Sequence, residues 1–236
     1  MDARSCIEAI IDLEWPMFHS VNGEDGPKAD CQNDKITFEA MRFAQFAAWD
    51  QPSRLSYLED LQAAKAAGRN LCTEKYIHMM KSTAILQYRQ LEHLLTFPDA
   101  EGLALVDSIT EKLIEQTEVL FQKFPYTSGF GRPLRSSMDL GGSTSVETYQ
   151  RGELMTYSTK TLSLLWQHLL NLEQQGRALA RDILENSIRS YGFPDLETAE
   201  AEAKLRVEAM PIEISYGCAC CSDDSCGDDG CDPCHD

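Results

Sequence analysis

The sequence predicts an all-α fold: a single multi-helix domain with an irregular Gly/Arg/Ser loop and a Cys-rich C-terminal tail. Three observations carry this. Apolar residues recur at three- and four-residue spacing through most of the chain. Sustained period-two alternation and Asn-Gly hairpin signals are missing, and no repeat of fixed period occurs. The 236 residues suffice for one domain with a sizeable core.

The elements follow in order. Ile7, Ile10, Ile11, Phe18 and Val21 place a first helix over residues 5–21, and Pro16, which lacks an N–H, is expected to kink or split it. Residues 22–35 form a polar loop. A second helix spans 37–49, with Phe38, Met41 and Phe46 near one face and Asp50-Gln-Pro as its end. Ser53 is placed to cap a third helix, with Leu55, Leu58 and Leu61 inward and Gly68 as its stop. A long helix is expected over 70–96, ending before Pro98. Another runs over 99–123, where Leu103, Val106, Leu113, Leu120 and Phe124 form a seam for an antiparallel neighbour.

Residues 125–144 break the pattern, and irregular stretches of that length tend to be functional or disordered. Thr144 and Glu147 have capping-box spacing for the next helix. Ser158 caps another, with Leu162, Leu165, Trp166, Leu169 and Leu172 inward. A helix continuing to about residue 191 stops at Gly192-Phe-Pro194, and Asp195 caps a last, acidic, Ala-rich helix reaching about residue 210. The expected organisation is a helical domain over 1–194 with about seven to nine helices in all. An acidic helix and extended linker occupy 195–216, and the acidic Cys-rich tail 217–236.

The net charge is −17. It argues against a nucleic-acid partner, whose phosphates call for clustered Lys and Arg. From Asp195 onward twelve acids face only Lys204 and Arg206, so the acidity belongs to the end of the chain. No apolar run approaches the roughly 18 residues that a membrane span needs. The N-terminus lacks a basic region followed by an apolar stretch. The expectation is a cytoplasmic protein with no membrane partner.

Several stretches have a family look. They are E-W-P-M-F at Glu14 to Phe18, Cys31-Gln32, T-F-E-A-M-R-F-A-Q-F-A-A-W from Thr37, and G-R-N-L-C-T-E-K-Y-I-H-M-M from Gly68. G-R-P-L-R-S-S from Gly131 and T-S-V-E-T-Y-Q-R-G-E-L-M-T-Y-S from Thr144 complete the set. On these motifs the chain resembles an uncharacterised bacterial family of helical proteins known only as a domain of unknown function. The resemblance implies a helical body over about residues 7–190 and carries no activity, ligand or catalytic residue with it.

The densest chemistry is in the tail. Cys218, Cys220, Cys221, Cys226, Cys231, Cys234 and His235 offer six thiols and an imidazole. Thiolates are soft ligands suited to Zn(II) or Cu(I), and close pairs close short chelate loops. The interleaved aspartates disfavour bare thiolates, so the run is a better cation trap than thiol catalyst. Cys231 and Cys234 form a C-x-x-C pair, and a second such pair at zinc-ribbon spacing is missing. The leading expectation is a non-enzymatic soft-metal-binding protein. A reduced, solvated tail is the bland alternative. A carrier whose tail is modified by another protein is a further one.

A second candidate is a small-anion or nucleotide site, or an enzyme, built on Arg132, Arg135, Ser136, Glu147, Arg151 and Glu153. Arginines and a Gly-rich turn can hold a carboxylate or phosphate, though Walker spacing is absent. The bland reading is that both loop arginines pair with Glu147, Glu153 or other acids and tie the loop down. Glu14, Glu39 and Glu153 lie beside apolar residues and could converge in the core, or pair with Arg42, Arg69 or Arg151. Glu74 and His78 share a helix face, without the doubled Glu-x-x-His of a di-metal bundle. His19, His93 and His168 have no ligand-like neighbours. Cys31-Gln32, with His19 upstream, gives little support for nucleophilic catalysis. Trp15, Met17, Trp49, Met79, Met80 and Trp166 are read as core.

Overall fold

Short polar side chains start most of the helices. A computed structural model describes residues 1–21, 29–128, 131–139 and 143–209. Among these it has eleven α-helices and no strand. They are α1 (Ala3–His19), α2 (Lys35–Ala47), α3 (Gln51–Ala66), α4 (Leu71–Thr83), α5 (Ile85–Leu91), α6 (Ala100–Lys123), α7 (Pro125–Ser128), α8 (Val146–Leu154), α9 (Thr159–Gln174), α10 (Leu179–Ser190) and α11 (Leu196–Ala209). Asp2, Asp34, Asp50, Asn70, Asp99, Ser145 and Ser158 each accept a hydrogen bond from the backbone N–H three residues on, which satisfies an otherwise orphaned donor. Asp195 does the same for Thr198.

Two stops act as read from the sequence. Gly68 (φ 70°) and Gly192 (φ 90°) take left-handed backbone, and the next residue's N–H returns to a carbonyl five back: Arg69 to Ala64 and Phe193 to Ile188.

Four local expectations are corrected. Pro16 does not split α1. It lies on the exposed side near the helix end, and its carbonyl accepts from the backbone and hydroxyl of Ser20. Ser53 does not cap α3; Asp50 does, and Ser53 is its third residue. Ser145, not Thr144, caps α8, while Glu147 reaches sideways to the Ser136 N–H. The long helix over 70–96 is broken at Ala84 (φ −153°, ψ 62°), where no Gly or Pro marks a stop. The Ser82 hydroxyl just before the break donates to Asp139 in the loop ahead of α8, so a tertiary tie accompanies the break.

The main core gathers Ile7 and Ile10 of α1, Phe46 of α2, Leu61 of α3, Val106 and Ile109 of α6, and Leu162, Leu165 and Leu169 of α9. α1 packs on α2, α3 and α4. α4 packs on α8, α6 on α8 and α9, and α10 on α2 and α6. Leu103, expected in the α6 seam, is 37% exposed. A second, small core joins Leu120, Phe124, Ile188, Leu196 and Ala199, where α11 packs on α7 and α10. Gly152 lets α8 approach α4 closely: a Cβ there would lie 2.7 Å from Met79 Cγ and 3.0 Å from the Lys75 carbonyl oxygen.

Candidate binding cleft

The α1–α2–α4–α8 packing buries four charges together. Arg42 of α2 is the hub. Its Nε and Nη2 grip the two oxygens of Glu14 on α1 at 2.7 and 2.5 Å, and its Nη1 donates to Glu153 of α8 at 3.0 Å and to Gln45 at 2.8 Å. Lys75 of α4 donates to the other Glu153 oxygen at 2.7 Å. Two phenols complete the set. Tyr57 of α3 donates to Glu14 at 2.6 Å, and Tyr157 donates to Glu153 at 2.7 Å. Two carboxylates face two cations, so the buried charge sums to zero, as a low-dielectric site requires.

The environment fixes protonation. Burial works against the Glu153 charge but is outweighed by Arg42 and Lys75, which hold its carboxyl well below the usual range. Burial likewise opposes the Lys75 ammonium and loses to Glu153, so Lys75 titrates above its ordinary value. Burial, then the nearby carboxylates, raises both Tyr57 and Tyr157. Cys72 of α4 is pushed up to about 12 by burial first and by Glu14 second, so its thiol stays neutral.

This hub lies in the wall of a cleft of about 340 Å³. Phe18, Phe38, Met41 and Tyr76 give it an apolar lining, with Tyr149 and Arg132 on the loop and α8 side. Phe18 and Phe38 stack with centroids 5.0 Å apart. Lys75 Nζ lies 3.5 Å from the Tyr149 ring centre, and the Arg132 guanidinium lies 4.9 Å from the same ring. Among the described residues, Arg132 makes one further contact, to the Thr144 carbonyl at 3.1 Å.

The six residues singled out in the sequence do not gather in one place. Arg132 and Glu153 share the cleft. Arg135 forms a two-pronged pair with Glu111 of α6 at 2.8 and 3.0 Å. Ser136 and Glu147 bond each other and hold the loop against α8. Arg151 pairs with Asp107 on an exposed face. Glu14 and Glu153 converge on Arg42, whereas Glu39 stays outside and pairs with Lys35. Glu74 is taken by Arg69 at 2.6 and 2.8 Å, and His78 packs edge-on to Phe97 instead. The metal candidates Cys218, Cys220, Cys221, Cys226, Cys231, Cys234 and His235 lie outside the described residues. Among the described residues no cluster of three or more His, Cys, Asp or Glu is arranged to hold a metal ion.

Arg42, Lys75, Tyr57 and Tyr157 were not picked out as site residues. One signal was available: Arg42 and Gln45 interrupt an otherwise apolar run at helical spacing, and Lys75 stands three residues after an inward-facing Cys72.

Fold and site together define an all-helical protein with a preformed aromatic cleft over a buried, charge-balanced ion hub. The chain belongs to the family described as protein of unknown function (DUF4125), which matches residues 4–201. The match stops short of the Cys-rich run. No curated protein and no solved structure matches the chain. No helix among the described residues is long and apolar enough to cross a membrane.

Proposed function

We propose that the helical body is a small-molecule-binding domain whose ligand sits in the cleft between α1, α2, α4, α8 and α10. The observation that carries this is the pairing of an apolar, aromatic wall with a few convergent polar groups in one cavity, the usual make-up of a ligand site. Its volume lies at the small end of such sites, which run from about 300 to 1,000 Å³, and so favours a compact ligand over a dinucleotide.

The chemistry of the ligand follows from the lining. Phe18, Phe38, Met41 and Tyr149 favour an aromatic or branched apolar body. The hub charges cancel among themselves, and Arg132 adds a cation at the wall with one backbone contact. The preferred head is therefore a carboxylate or phosphate turned toward Arg132. The hub favours binding over proton transfer. Glu153 and Lys75 are held charged and Tyr57, Tyr157 and Cys72 neutral, all far from the near-neutral values that general acid–base catalysis uses.

Thermal-shift screening with aromatic carboxylates and aromatic phosphates tests this. A stabilising compound whose effect disappears in both Arg132→Ala and Tyr149→Leu supports the cleft. Stabilisers that act equally on the variants count against it.

A second reading concerns the tail and rests on its own observation, six thiols and an imidazole within residues 217–236. It is a soft-metal site for Zn(II) or Cu(I), separate from the cleft. Metal analysis of anaerobically purified protein with and without 217–236 decides it, and equal metal content in the two sinks it. The same sample's intact mass distinguishes metal from a covalent adduct left by a modifying enzyme.

A further inference from the structure

The second core is too small to close itself. α11 presents one stripe inward, Leu196, Ala199, Ala203 and Val207. Leu196 and Ala199 are buried, and Ala203 and Val207 are only partly covered. Beside them runs a groove of about 520 Å³, walled on the far side by Leu184, Ile188, Tyr191 and Phe193 at the end of α10. Tyr191 is 61% exposed although it lines this groove. The apolar cover therefore runs out at the last turn of α11, where the chain leaves the described region.

The chain that leaves carries a matching pattern. Residues 210–216 read M-P-I-E-I-S-Y, in which Ile212, Ile214 and Tyr216 alternate with Glu213 and Ser215. In an extended segment that puts the three apolar side chains on one side. Pro211 lacks an N–H and so disfavours a further helical turn past the α11 end. The reach suffices. Seven extended residues span up to about 23 Å, whereas the stripe from Ala199 to Val207 is only about 12 Å long at the helical rise.

We propose that residues 210–216 fold back along α11 and dock Ile212, Ile214 and Tyr216 in the groove between α10 and α11. This goes beyond the cleft and tail readings and depends on neither. It makes the start of the Cys-rich tail part of the folded body and holds residues 217–236 near the end of α10. That helix also forms part of the cleft wall: Ile183 and Ser187 line the cleft, and Ser187 borders the groove too.

The test places the photocrosslinking amino acid p-benzoylphenylalanine at position 191 of the full chain and maps the product by mass spectrometry. The expected result is an intramolecular crosslink to residues 210–216. It is lost in Ile212→Asp/Ile214→Asp, while the far-ultraviolet helical signal is unchanged. A crosslink only between two chains, only to other parts of the body, or none at all overturns the proposal. Amide exchange gives an independent reading. Residues 203–209 should lose protection in the same double variant, and unchanged protection overturns the docking whatever the crosslink yield.

Discussion

Replacing Arg42 with methionine is the sharpest perturbation of the hub. The side chains of Glu14, Glu153 and Arg42 are 3%, 11% and 13% exposed, so solvent screens the guanidinium and its partners only weakly. Glu153 would keep Lys75, Gln45 and Tyr157. Glu14 would lose both hydrogen bonds from Arg42 and keep the Tyr57 hydroxyl. Breaking a buried pair from one side costs about 3–5 kcal/mol, a large part of the roughly 5–15 kcal/mol that holds a typical domain together. Arg42→Met/Glu14→Gln removes a charge of each sign and leaves Glu153 with Lys75. Its loss should fall short of the sum of the single losses by about 0.5–3 kcal/mol. Urea unfolding of the four proteins measures this. A single-variant loss below about 1 kcal/mol, the scale of an exposed pair, or strict additivity in the cycle would refute the reasoning.

Other consequences follow from the same geometry. Glu153 has a lowered folded pKa, so its contribution is full above the unfolded carboxyl value of about 4.3 and is lost as pH falls through the folded value. Lys75 has a raised folded pKa, so its contribution is full below about 10.4 and is lost as pH rises through the folded value. Glu153→Gln should accordingly show a shallower loss of stability on acidification than the parent chain, read from urea midpoints across the acid range. Gly152→Ala gains helix propensity of about 1 kcal/mol. It also drives a methyl against Met79 and the Lys75 carbonyl, so a net loss of about 1–3 kcal/mol is expected on thermal unfolding. Timed maleimide labelling with peptide mapping should modify exposed Cys31 quickly, half-buried Cys72 with its raised thiol pKa more slowly, and buried Cys6 only on unfolding.

The helical class and most boundaries were legible because local chemistry fixes them. Asp99, Ser158 and Asp195 cap where they stand, and Gly68 and Gly192 end helices wherever a left-handed residue is needed. The break at Ala84 was not legible. It involves Ser82 meeting Asp139, a contact between residues 57 positions apart. The cleft was half legible for the same reason. Glu14, Arg42 and Glu153 could be suspected of meeting, since charges beside apolar runs must find partners. Which acid met which base depended on α1, α2 and α8 crossing at one point. Arg135 and Arg151 read the same as Arg132 in sequence, yet they sit opposite Glu111 and Asp107 of α6 on the exposed side. The Ser53 and Thr144 expectations missed because a better-placed Asp50 and Ser145 stood nearby.

The central claim is that the cleft holds a small ligand with an apolar body and an anionic head. Isothermal titration of the best aromatic carboxylate or phosphate from the thermal-shift screen tests it most directly, with the parent chain, Arg132→Ala and Tyr149→Leu measured side by side. The expected result is one site per chain, a negative heat-capacity change from apolar burial, and binding that weakens at least about tenfold in each variant, the equivalent of one lost charge-assisted contact of roughly 1.5 kcal/mol. Binding of equal strength in all three proteins, or no saturable binding by any member of the panel, would contradict it.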